Sequence, residues 1–237
     1  MAGDHTVTAY DRELEDLRST IARMGGLAEA QLAAAIDALY KRDTEAASAV
    51  IKADKEIDAL ESEAEKKAIA SLVKRQPMAD DLREIVAALK MSSEIERVGD
   101  YAKNIAKRVS AITEADRVTI SRSIADMGQI VQKMLKDVLD AYIDHDVDKA
   151  MGVWERDEAV DELYNSLFRE LLTYMMEDPR LITACTHLLF TAKNVERMGD
   201  HVTNIAELVY YMVTGEVLPD ERPKGDQTSF TVVHPDD

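Results

Sequence analysis

Apolar residues recur every three or four positions from about Tyr10 onward: Leu14, Leu17, Ile21, Met24, Ala28, Leu32, Ala35 and Leu39. That step keeps them on one face of a helix, so the spacing predicts one long helix up to about Asp43. Asp43-Thr44 supplies the stop and an N-cap for a second helix, predicted from about Thr44 to Arg75, with Val50, Ile57, Leu60, Ala64 and Leu72 on its apolar side. Gln76-Pro77 breaks that helix, because the residue before a proline avoids helical geometry and proline suits a first turn. A third helix, about Met78 to Ile112, carries Leu82, Ile85, Leu89, Ile95, Val98, Ala102, Ile105, Val109 and Ile112. Residues 1–9 are polar and lack a period, so a frayed end is expected there.

The pattern then repeats. A fourth helix is predicted over about Asp116–Asp144, with Met127-Gly128 standing 103 residues after Met24-Gly25. A fifth, about Val147–Glu177, has Asp157 and Asp161 at the same offset of 103 from Asp54 and Asp58, and Pro179 follows Pro77 by 102. A sixth carries Val195, Met198, Val202, Ile205, Val209 and Met212, and the pattern ends at Gly215. Short links between helices this long force antiparallel neighbours. The predicted fold is all-α: a tandem duplication of two antiparallel three-helix bundles, six long helices in all, each bundle ~45 Å long. The repeats span 10–113 and 114–214. Residues 215–237, with Pro219, Pro223, Gly225 and Pro235, read as a disordered C-terminal tail.

The most specific match lies in the third helix of each repeat. Residues 95–106 and 195–206 are identical at seven of twelve positions, at an offset of 100. Each copy spaces a glutamate, an aspartate and an asparagine four residues apart: Glu96, Asp100 and Asn104, then Glu196, Asp200 and Asn204. At about 100° per residue, these rows fall roughly 130–180° from the centre of their own apolar stripe. They are therefore expected on the bundle surface. Asp54/Asp58 and Asp157/Asp161 form a second row on a neighbouring helix, so four carboxylates in each repeat could converge along a groove. Oxygen-rich anionic sites suit hard cations. The bland reading of any one row is a solvated helix face. Recurrence on two helices in both repeats favours a cation groove, as does Gly99 or Gly199 placed inside each helix, at a cost of about 1 kcal/mol relative to alanine.

Composition narrows the function. A net charge of −17 is the reverse of a nucleic-acid binder's footprint, so no direct contact with nucleic acid is expected. The single cysteine, Cys185, cannot form an intramolecular disulfide and lies in an apolar stretch that suits a small buried side chain. No signal core and no membrane-spanning window is present, which points to the cytoplasm. No phosphate loop, nucleophile elbow or metal-type histidine spacing occurs, and His201 is matched by Tyr101 in the other repeat. Arg97 and Arg197 could meet a partner or an anion, but a local pair such as Arg97 with Glu94 is equally open. Trp154 and Met175-Met176 read as packing residues or parts of an inter-repeat or dimer surface. Two competing readings stay open: a carboxylate-bridged di-metal enzyme, which the outward rows disfavour, and a helical interaction protein without metal.

The duplicated Glu-Arg-Val/Met-Gly-Asp-Tyr/His-x-x-Asn-Ile-Ala motif, the paired Asp-x-x-x-Asp rows and the tandem three-helix layout resemble the PhoU family of phosphate-uptake regulators. The likeness covers about residues 10–214 and excludes the tail. It implies a cytoplasmic, non-enzymatic adaptor, often a homodimer, that associates with the membrane only through its partners. Those partners are the ATPase subunit of the high-affinity phosphate ABC importer and a phosphate sensor histidine kinase. The adaptor restrains phosphate uptake and the phosphate-starvation response. The resemblance also implies surface metal clusters, of iron, manganese, magnesium, zinc or calcium. Their ligands map onto Asp54, Asp58, Glu96 and Asp100, and onto Asp157, Asp161, Glu196 and Asp200, with Asn104 and Asn204 as possible helpers.

Overall fold

Six long helices make up the computed structural model, which describes residues 2–114, 120 and 122–218 (for 2–9, the backbone alone). They are α1 (Ala2–Lys41), α2 (Thr44–Arg75), α3 (Asp80–Glu114), α4 (Arg122–Asp144), α5 (Val147–Glu177) and α6 (Ile182–Thr214), with a 3₁₀ turn, Pro179–Leu181, leading into α6. No strand occurs among the described residues. The bounds predicted for α2 and α5 match those observed. Helical backbone continues back to Ala2 through the segment expected to fray, since extending an existing helix needs no new nucleus. The predicted start of α4 falls in residues 115–119, outside the described residues, and Ile120 is not helical. Of the predicted tail, only Gly215 to Leu218 is described.

Local chemistry sets the turns. Asp43 caps α2 by accepting the backbone N–H groups of Glu45 and Ala46 at 3.0 and 2.9 Å. Asp146, its counterpart in the second repeat, caps α5 through Lys149 N at 2.9 Å. Gln76 leaves α2 in the left-handed region at φ 49°, before Pro77 prevents further helix. Gly215, at φ 77°, ends α6.

Within each repeat every helix packs on the other two. The repeats join through α3 against α6 and α1 against α4, which leaves α2 and α5 on the flanks. The α1–α4 contact is reciprocal: a Cβ at Gly25 would overlap Leu139, and one at Gly128 would lie 3.2 Å from Ile36. Ile36 and Leu139 are themselves repeat counterparts, so an internal two-fold relates the halves. The α3–α6 seam obeys the same symmetry. Tyr101 and His201, equivalent positions, stack with ring centroids 5.5 Å apart at its middle. Glu94 meets Asn204 at one end and Arg108 meets His187 at the other, so the two helices run antiparallel.

One continuous core runs through both repeats, and the predicted stripe of α1 is buried throughout. Each fully buried Ile, Met or Leu in it contributes about 1.5–3 kcal/mol relative to exposure. Cys185 is a buried free thiol. Leu82, predicted as a core residue of α3, is exposed, as is Met176, because both lie near the helix ends that close each repeat. Trp154 is partly buried and donates its indole N–H to Glu207 at 3.3 Å.

Candidate functional site

The acidic rows sit where α3 meets α2 and where α6 meets α5, and they are more buried than the angular argument implied. Asp54, Asp157, Asp161 and Glu196 are buried at 3%, 1%, 4% and 5% exposure. Glu96, Asp100 and Asp200 are intermediate and Asp58 is exposed. The expectation of a freely exposed surface row is thus corrected. It assumed one buried stripe per helix, whereas α3 packs on α1, α2 and α6, and α6 on α3, α4 and α5. A helix with three neighbours has little free face.

In the first repeat the groove begins with Asp54 of α2 pressed against Gly99 of α3. A Cβ at Gly99 would lie 2.9 Å from Ile57 Cδ1, 3.3 Å from Gln31 Oε1 and 3.6 Å from Asp54 Oδ1. The glycine therefore marks a close approach, which explains its place inside a helix. Gln31 of α1 donates to Asp54 Oδ1 at 3.3 Å. Lys103 bridges the two helices, donating to Asp54 Oδ2 and to Asp100 Oδ1. Burial, then repulsion from Asp100, Glu61, Asp58 and Asp54, pushes the Glu96 carboxyl up to about 7. Asp58 is raised as well, by burial and by Asp54, against the pull of Lys103. Five carboxylates thus share one electrostatic neighbourhood, Glu61 being the member that sequence reasoning missed. It lies three residues beyond Asp58 on the same face of α2, but its repeat counterpart is Tyr164, so a search for duplicated acids passes over it.

The second groove has the same frame and different neutralisation. A Cβ at Gly199 would lie 2.8 Å from Asp157 Oδ1. Thr203 stands where the first repeat has Lys103, and its hydroxyl turns back to Gly199 O at 2.8 Å. Lys193 donates to Glu196 Oε1 at 2.8 Å, while Oε2 is buried without a partner among the described residues. Burial, helped by Asp200 and Asp161 and opposed by Lys193, pushes Glu196 up to about 7. The two asparagines engage other groups: Asn104 accepts from Lys107 at 3.4 Å and Asn204 donates to Glu94 at 3.0 Å. His201 also meets Glu94, at 2.6 Å, which places it in the seam. Arg197 reaches Tyr101 at 3.4 Å.

Among the described residues, no three His, Cys, Asp or Glu side chains are arranged to hold a metal ion. In the first groove an ammonium group already lies between Asp54 and Asp100 and offsets part of their charge. The second offers hard oxygen donors and an orphaned buried carboxylate oxygen, a donor set that fits a hard cation. No helix among the described residues is long and apolar enough to cross a membrane.

The family model described as PhoU domain matches residues 21–109 and 124–209, one copy in each repeat. A protein of Caulobacter vibrioides named phosphate-specific transport system accessory protein PhoU homolog is 56% identical over 227 residues, covering 95% of this chain and 99% of the relative. One of the same name from Rhizobium meliloti is 49% identical, covering 97% of each. The crystal structure of PhoU from Pseudomonas aeruginosa superposes with a TM-score of 0.84 at 39% identity, covering 87% of this chain and all of that one. With two domain matches, end-to-end relatives and a shared six-helix duplication, the chain belongs to the PhoU family.

Proposed function

We propose that this protein is a cytoplasmic accessory regulator of phosphate-specific transport that represses uptake and the phosphate-starvation response. The observation that carries this reading is the end-to-end likeness to proteins named for that transport system, with 56% identity over 95% of the chain. In it, the protein links the ATPase subunit of the phosphate importer to a sensor histidine kinase, reaches the membrane through them alone, and works as a homodimer. The acidic grooves supply its regulatory surface. The second groove takes a hard cation through Asp157, Asp161, Glu196 and Asp200. The cation would offset the mutual repulsion of carboxylates that packing forces together. The first, with Asp54, Asp58, Glu96 and Asp100, takes one once Lys103 withdraws. Deleting the gene in the native host tests the regulatory role. A phosphate-starvation reporter should switch on in phosphate-rich medium, and a reporter that stays silent would overturn it.

A further inference from the structure

The internal two-fold makes the two ends of the α3–α6 seam equivalent in backbone, yet they carry opposite charge. At the Glu94 end a cleft of about 1120 Å³ is lined by Glu61, Glu65, Glu94, Glu207 and Leu208, among others. At the other end the repeat counterparts of those five are Tyr164, Phe168, Asn194, Lys107 and Arg108. Every acid is replaced by a neutral or basic residue. In a chain with a net charge of −17, this is a local reversal of sign.

Arg108 is the centre of that reversal. Its guanidinium lies 4.5 Å from the centroid of the Phe190 ring, and Nη1 is 3.3 Å from His187 Nδ1. Its Nε is buried without a partner, and no carboxylate pairs with it among the described residues. Burial lowers its pKa. Asn194 Nδ2 is a second buried donor without a partner among the described residues. His187, Phe190, Asn194 and Arg197 follow one another by three or four residues on α6, and the first two and Arg197 all reach α3. Asn194 therefore faces the same seam. Lys107, next to Arg108, makes one long bond to Asn104 and no ion pair among the described residues. Buried N–H donors normally find acceptors, and two orphaned donors together with two cations that pair with no carboxylate among the described residues suit an anion. A guanidinium over an aromatic ring keeps its planar fork of N–H donors, which suits two oxygens of one group.

We propose that Arg108, with Lys107 beside it and Asn194 across the seam, binds a phosphate-class oxyanion: free inorganic phosphate or the phosphate group of a nucleotide. Two cations match the double charge of phosphate near neutral pH. The site uses none of the eight groove carboxylates and stands independently of the regulatory role.

Isothermal titration of the full chain in chelator-treated chloride buffer tests it, with inorganic phosphate in one arm and AMP in the other. Saturable binding at one site per chain is expected, with a dissociation constant below about 1 mM. Arg108→Leu installs the residue that the first repeat's cleft carries at Leu208, and should weaken binding at least about tenfold. Arg108→Lys keeps the charge and loses the fork; it should also weaken binding, and it serves if the leucine variant fails to fold. Preference for phosphate over AMP would identify the free ion, and the reverse a nucleotide. Absence of saturable binding in both arms, or equal binding by wild type and the folded Arg108 variants, would overturn the proposal.

Discussion

Replacing Glu196 with glutamine should stabilise the protein above neutral pH and leave its stability unchanged near pH 4. The side chain is 6% exposed, so solvent screens it little. Burial holds its carboxyl at about 7, against 4.5 in the unfolded chain. The folded state therefore binds the proton more tightly. Stability from this group is full below the unfolded value and is lost as pH rises through the folded one. The gap corresponds to about 3 kcal/mol at ~1.36 kcal/mol per pKa unit, an upper bound. Glutamine mimics the protonated acid, and the raised value already includes the opposing pull of Lys193, so a net gain of about 1–3 kcal/mol is expected at pH ~8. For a chain of this size that raises Tm by roughly 3–10 °C. Thermal unfolding followed by circular dichroism, in chelator-treated buffer across the pH range, should give curves that coincide in acid and diverge above neutrality. Equal melting at pH ~8, or a variant that melts earlier there, would refute a strained buried carboxylate.

Four further outcomes follow from the same geometry. Gly199→Ala should destabilise by about 1–2 kcal/mol despite alanine's better helix propensity, because its Cβ would lie 2.8 Å from the buried Asp157 carboxylate. Gly152→Ala, with nothing within 4 Å of its Cβ, should instead stabilise by up to about 1 kcal/mol; urea titration of the pair separates space from propensity. Lys103→Thr converts the first groove to the pattern of the second and leaves buried Asp54 without its ammonium, costing about 3 kcal/mol. Manganese should recover part of that loss in the Lys103→Thr variant, read as a rise in Tm with added metal that Asp54→Asn in the same background abolishes.

Much of this architecture is legible from residues alone. The three-to-four step of Leu14, Leu17, Ile21 and Met24 specifies α1, and Asp43 and Pro77 mark turns because each has a local mechanism. The duplication shows in the repeated Glu-Arg-x-Gly-Asp, and the glycine in it does mark a close approach. Burial of the acids was not legible, since one helix wheel records only its own stripe and not how many neighbours pack on it. That changes one inference. Asp157 and Glu196 are buried, so an outward orientation no longer argues against di-metal chemistry; membership of a family of transport accessory proteins is what bears on it. Lys103 was also out of reach: it differs from Thr203 at a position where the repeats otherwise agree closely, and a comparison that looks for identities discards the difference. Arg108 was missed for the same reason, because its counterpart is Leu208.

The measurement that bears most directly on regulation through the acidic grooves is a phosphate-starvation reporter in a deletion strain grown with ample phosphate. It should be complemented either with wild type or with a chain in which Asp157, Asp161, Glu196 and Asp200 are changed to asparagine or glutamine. Wild type should silence the reporter, whereas the variant, folded and equally abundant, should leave it on. Equal silencing by both would contradict a regulatory role for the groove.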